Sequence, residues 1–206
     1  MKIVVVTNDE LKEELLSQGL RDGASIEWTS DITQVSTGVD TCIDLLFDTD
    51  RDRRKKILSA LDAEMVIVND VLETTEGLPP NYVRINAWPT FLKRNTVEAS
   101  CGNEELKQKV IDVFNTFNKT VEFTPDISGF ISARIVASII NEAFFSLQDK
   151  VSTKEDIDTA MKSGTNYPYG PFEWSERIGV EKIHSLLSLL SEKEKRYTPC
   201  ELLKKN

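Results

Sequence analysis

The chain has 206 residues, enough for one large domain or two small ones, and 40% of it is hydrophobic, as in a protein with a real core. Its net charge of −9, from 34 acids against 25 bases, argues against binding nucleic acid or an anionic membrane surface. No apolar run nears the roughly 20 residues of a membrane span, and Cys42, Cys101 and Cys200 are too scattered for a disulfide framework or a zinc site. A cytoplasmic protein with no metal is therefore expected.

The opening MKIVVV meets Asn8, Asp9 and Glu10 too soon for a signal-peptide core, so Lys2–Thr7 reads as a first strand. Thr7 and Glu10 have capping-box spacing, and Leu11, Leu15 and Leu16 form a helical stripe that ends near Gly19 and Gly23. Ala24–Thr29 and Thr41–Phe47 are predicted strands, Asp50–Leu61 a charged helix with Ile57, Leu58 and Leu61 on one face, and Glu64–Val68 a fourth strand. Strands alternating with helices predict a parallel, doubly wound sheet. Past Pro79-Pro80, strands are expected at Tyr82–Ala87 and Asn95–Ser100 around a turn at Pro89. A helix capped by Asn103 (Glu104–Phe117) and a strand at Thr120–Phe123 follow.

From Ser128 the pattern is helical. Phe130–Leu147 is apolar on most sides and so should be buried on most sides, inside a domain or in a subunit interface where Ala133, Ala137 and Ala143 permit close approach. Ser152 and Glu155 suggest a capping box for a helix through Met161, ended by Gly164, and Pro171 suits the first position of the next helix. The domain boundary is placed to give residues 1–125 and 126–206.

Asp158-Thr159-Ala160-Met161, Gly164, Tyr167-Pro168 and Gly170-Pro171-Phe172-Glu173 together resemble a signature of 3-hydroxyacyl-CoA dehydrogenases. Gly129–Phe144 is similar to the long first helix of that family's C-terminal domain, and Arg196–Lys205 to its chain end. The likeness covers roughly the last 80 residues. More loosely, Leu45–Leu61 and Val66–Gly77 are similar to a strand, charged helix, strand and turn of the family's nucleotide domain, which is longer than this half. The resemblance implies an α/β fold: a Rossmann-like, mostly parallel sheet domain, then an all-α C-terminal domain of the 6-phosphogluconate-dehydrogenase type. It also implies a homodimer through the helical domain and an acyl-CoA ligand, with Tyr167, Gly170, Pro171 and Phe172 as substrate-cleft candidates.

The family's chemistry needs three things. A pyrophosphate needs a glycine-rich turn before the first helix. Here the turn is Thr7-Asn8-Asp9-Glu10, and Glu13 and Glu14 add negative charge behind it. The family's proton acceptor is a His oriented by a Glu. Glu98 aligns with that Glu, whereas the His position falls on Asn86, or on Ile85 if the register follows Pro89, and neither accepts a proton at neutral pH. The family's helix Asn falls on Ala133, with Ser132 beside it, and its Ser-rich turn reads Asn69-Asp70-Val71-Leu72. The single histidine, His184, lies beside Ile183, Leu186 and Leu187 and reads as a boundary residue.

The expected function is therefore that of a 3-hydroxyacyl-CoA dehydrogenase-like protein with lost or much weakened NAD binding and activity. It would have no cofactor and would serve as an acyl-CoA-type binding or dimerising module. The alternative is an active NAD-dependent 3-hydroxyacyl-CoA (3-hydroxybutyryl-CoA) dehydrogenase of fatty-acid metabolism. A different reaction using Glu98 or Asp70 as acid or base is a third option that no spacing singles out.

Overall fold

Short runs of β-branched residues with no polar face must be covered on both sides, and Ile3–Val6 and Met65–Val68 are almost wholly buried. The computed structural model describes residues 1–21, 23 and 25–204. The chain clusters into two compact units, Met1–Phe130 and the residues from Ile131 onward.

In the first unit the strands are β1 (Lys2–Val6), β2 (Ser25–Thr29), β3 (Thr41–Asp44), β4 (Met65–Asn69), β5 (Tyr82–Ile85), β6 (Thr96–Cys101) and β7 (Thr120–Phe123). Among the described residues they form one sheet in the order β2-β1-β3-β4-β5-β6-β7. The first five strands are parallel, β6 runs antiparallel to β5, and β7 is parallel to β6. The reversal has a simple cause. Only about ten residues (86–95) join β5 to β6, fewer than a parallel crossover needs, so the chain turns back on itself, whereas α3 (Lys107–Thr116) provides the crossover to β7.

On one face of the sheet, Ile3, Val5, Ile43, Ile67 and Ile85 pack with Leu11 and Leu15 of α1 (Asp9–Leu16) and with Val110 and Phe114 of α3. On the other, Val4, Val6, Cys42, Val66 and Val68 meet Phe47 and Leu58, the latter from α2 (Arg51–Leu58). The chain leaves β1 toward β2 on one side and returns to β3 on the other. That places the topological switch point, where such folds take ligands, at the carboxyl ends of β1 and β3.

The helical unit contains α4 (Ser132–Gln148), α5 (Lys154–Thr165), α6 (Pro171–Ile178) and α7 (Val180–Ser191). No described helix is long and apolar enough to cross a membrane. This is the expected architecture, an α/β sheet unit followed by an all-α one.

Several local expectations are corrected. The N-cap of α1 is Asn8, whose Oδ1 accepts Leu11 N at 2.9 Å, while Thr7 donates to the Asn8 carbonyl. The N-cap of α5 is Thr153 (accepting Asp156 N at 3.2 Å) and not Ser152. That helix runs past Gly164 to stop at Asn166 in the left-handed region, φ +56°. Thr41–Phe47 shortens to Thr41–Asp44, and Phe47–Thr49 is a 3₁₀ turn. Phe130 lies outside α4, and α4 is not buried all round: Ile131 is 51% exposed and Ile135 55%. Ala133, Ala137 and Ala143 are buried on its inward side with Val136 and Ile140, so they serve internal packing. Ala24 and Lys205 lie outside the described residues.

The helical signature has a physical explanation. Gly170 caps α6 and has no side chain to offer its amides, so Asp158 on α5 supplies one. Its carboxylate accepts Phe172 N at 2.8 Å and Glu173 N at 3.1 Å. Glu173 reaches back to Gly170 N at 3.0 Å and to Lys162 Nζ at 2.6 Å. Those bonds, from Lys162 first and then Gly170, hold the Glu173 carboxyl below its ordinary range. Glycine is required at 170 because a Cβ there would stand 2.2 Å from Asp158 Cγ. Gly170→Ala should therefore cost about 1–3 kcal/mol in urea unfolding. The same change in an Asp158→Gly background should cost clearly less, because the Asp158 Cβ alone would stand 2.4 Å away.

Candidate functional site

Antiparallel pairing sets Arg84 opposite Ser100 and Ile85 opposite Ala99. One step further, Asn86 N donates to Glu98 O at 3.1 Å, and Asn86 Nδ2 donates to Glu98 Oε2 at 3.0 Å. Both side chains are buried, Asn86 1% and Glu98 6% exposed. Ile85 points into the opposite core with Val83 and Ala99. Of the two residues that sequence spacing offered opposite Glu98, Asn86 is the one in contact with it. Asn69, at the end of β4, closes the third side: its Oδ1 accepts Ala87 N at 3.0 Å and its Nδ2 donates to Leu45 O at 3.2 Å.

Charges at the carboxyl ends of the strands are paired within the protein. Arg54 of α2 forms a bidentate contact with Asp44 at the end of β3, at 2.9 and 3.0 Å. Burial pushes the Asp44 carboxyl up to about 6 against the opposing pull of Arg54. Arg51 Nε bonds Asp70 Oδ2 at 2.8 Å, so the Asp70 carboxylate is already engaged. Arg84 is fully buried on β5: its Nε donates to Asp70 O at 3.0 Å, its Nη1 to Asp126 Oδ1, and its guanidinium lies 4.9 Å from the Phe130 ring centroid.

A fold with this switch point implies a dinucleotide, and the residues present do not fit one. The β1–α1 turn has Asn8 as cap and exposed Asp9 and Glu10 in the first helical turn, where pyrophosphate needs bare amides and positive potential. The depression bordered by Thr7, Asn8, Asp9, Lys12 and Trp28 holds about 170 Å³, short of the roughly 300 Å³ at which ligand sites begin. Lys12 Nζ lies 4.8 Å from the Trp28 ring centroid, directed to the indole. Glu14 does not add to the helix-end charge as its position suggested, because it turns inward and is 2% exposed.

Residues 129–206 match the family described as 3-hydroxyacyl-CoA dehydrogenase, C-terminal domain. That segment belongs to the 3-hydroxyacyl-CoA dehydrogenase family. A 3-hydroxyadipyl-CoA dehydrogenase of Escherichia coli K12 is 42% identical over 112 residues, which are 53% of this chain and 24% of the relative. The crystal structure of a 3-hydroxybutyryl-CoA dehydrogenase from Escherichia coli K12 superposes with a TM-score of 0.59 at 34% identity, covering 69% of this chain and 31% of that one. An (S)-3-hydroxybutyryl-CoA dehydrogenase from Ralstonia eutropha superposes with a TM-score of 0.72, covering 98% of this chain and 91% of the other. Its 16% identity establishes a shared fold only. This chain thus spans a quarter to a third of the two Escherichia coli proteins.

Within the dehydrogenase-family domain, the cleft candidates are largely structural. Phe172 is 3% exposed against Phe144, with ring centroids 5.0 Å apart. Pro171 occupies the first position of α6, and Gly170 is its cap. Tyr167 alone of the four keeps exposed surface, its ring 5.7 Å from Trp174. Ala133 is buried on α4 and offers no polar atom. His184 is half-buried on α7.

Sequence reasoning missed Arg84 and Asp126. The only trace of Arg84 is a charge inside an otherwise apolar strand, Tyr82–Ile85. Asp126 accepts from the Thr75 amide at 2.9 Å, the Thr75 hydroxyl at 2.6 Å and Ser100 Oγ at 3.2 Å as well as from Arg84. Burial alone would raise its carboxyl, but the Thr75 bonds and Arg84 hold it below the ordinary 3.8. A depressed acid stabilises the fold above its unfolded value and loses that contribution as pH falls through its folded one. Asp126→Asn should cost about 1.5–3 kcal/mol at neutral pH. In urea unfolding at a series of pH values, its gap from the parent protein should close as pH falls below 3.8.

Proposed function

We propose that this protein is a 3-hydroxyacyl-CoA dehydrogenase-like protein without NAD binding or dehydrogenase activity, cytoplasmic, which binds an acyl-CoA-type ligand and self-associates through its helical unit. The contact of Asn86 with Glu98 carries the reading. Oxidising a 3-hydroxyacyl group requires a base for the hydroxyl proton as hydride departs. The carboxamide of Asn86 takes the place where the family holds a His, and it has no proton-accepting capacity at neutral pH. Ala133 stands where the family's helix Asn would be, and the turn before α1 lacks glycines and carries acids. An active enzyme would need all three elements.

Acetoacetyl-CoA-dependent NADH oxidation by the purified protein should not exceed the buffer rate. Saturable turnover that Glu98→Gln abolishes would overturn the proposal. Self-association is supported by Ile131 and Ile135, large apolar side chains one turn apart and about half exposed. Sedimentation at micromolar concentration should show a dimer that Ile135→Asp shifts to monomer. A monomeric parent protein would remove this part of the proposal.

A further inference from the structure

The loop from Ala87 to Asn95 joins Asn86 to the strand that carries Glu98, and it holds a backbone conformation its sequence disfavours. Trp88 O accepts Phe91 N at 3.0 Å, closing a turn with Pro89 at its second position and Thr90 at its third, where φ is +81°. Such a turn takes glycine or asparagine at that position, and a β-branched residue is among the worst fits. Thr90 is nevertheless buried there, 7% exposed.

Two buried charged side chains hold the loop in this shape. Glu14, from the inner face of α1, accepts Thr90 N on Oε1 at 2.6 Å. Lys119, 1% exposed just before β7, donates to Leu92 O at 2.5 Å, Arg94 O at 2.9 Å and Ser17 Oγ at 3.3 Å. Ser17 Oγ and Gln18 Nε2 bond Lys93 O at 3.1 and 2.9 Å. The amide of Thr90 and the carbonyls of residues 92, 93 and 94 are thus all held by α1, its following turn and Lys119. Burial lowers the Lys119 ammonium to about 8 against the opposing pull of Glu14, and burial also raises the Glu14 carboxyl, so holding both here runs against their desolvation.

Burying an acid and a lysine to fix one turn is costly when glycine at position 90 would fit the conformation unaided. Strain of this kind is retained where the surrounding structure over-determines a conformation that matters. We infer that Glu14 and Lys119 are positioning residues: by fixing the strained 87–95 loop they set the register that brings Asn86 Nδ2 onto Glu98. The inference rests on the Asn86–Glu98 pair being the heart of the site. Its readout is the geometry of that pair, which is measurable whether or not the pair meets a ligand.

The test is hydrogen exchange by NMR on the full chain, following the backbone amides of residues 88–95 and the Asn86 side-chain NH₂. Glu14→Gln and Lys119→Met should each speed both sets by about tenfold or more, while Glu13→Gln, on the exposed side of α1, leaves them unchanged. Adding Thr90→Gly to Glu14→Gln should restore most of the protection, since glycine takes φ +81° without strain. If the loop amides accelerate and the Asn86 side chain does not, the positioning role is wrong. If neither set changes, there is no clamp. Should Glu14→Gln fail to fold, its rescue by Thr90→Gly supports the inference, and a double variant that also fails to fold overturns it.

Discussion

The hydrogen bond from the Asn86 amide to the Glu98 carboxylate, made across two antiparallel strands in the sheet interior, is the contact on which the proposed function depends. It exists because β6 runs against the direction of the preceding strands, which follows from the shortness of the connection at residues 86–95. A carboxylate that receives an amide proton in this way is oriented and satisfied. Its partner can donate a hydrogen bond and cannot relay a proton. Under the proposed function, the pair keeps the frame of an acid–base site without its base.

Internal pairing also occupies the carboxyl ends of the parallel strands. In folds of this topology, that edge offers amides and open space to a ligand's phosphates. Here Arg54 meets Asp44, Arg51 meets Asp70, and Arg84 meets the Asp70 carbonyl and Asp126. Each pairing offsets the desolvation of a buried charge, so removing one partner would leave the other uncompensated. The helical unit shows a parallel case, with Asp158 caps and Gly170 clearance accounting for much of a sequence signature that identifies an enzyme family.

The sequence made the regular features legible because they are local. The apolar runs of β1 and β4 and the Leu11–Leu15 stripe found their places, and each cap was right to within one residue or one turn. Asn8 displaced Thr7 as cap because the helix begins one residue later than capping-box spacing implied. The inward turn of Glu14 and the buried charge of Arg84 were not legible. Both depend on partners distant in sequence, Thr90 and Asp126, which only the folded sheet brings near. The exposure of Ile131 and Ile135 was hidden too, since hydrophobic count along a helix does not tell which side has a neighbour. The Asn86–Glu98 contact lay between these cases: the spacing named both residues, and the strand reversal joins them.

The central claim is that the sheet unit has exchanged a nucleotide site for internal pairing, and direct binding tests it without relying on any turnover. Isothermal titration of NAD⁺ into the full chain at neutral pH is the measurement. The account predicts no saturable heat up to millimolar nucleotide. A saturable isotherm in the micromolar range, weakened by a bulky substitution at Asn8, would contradict it.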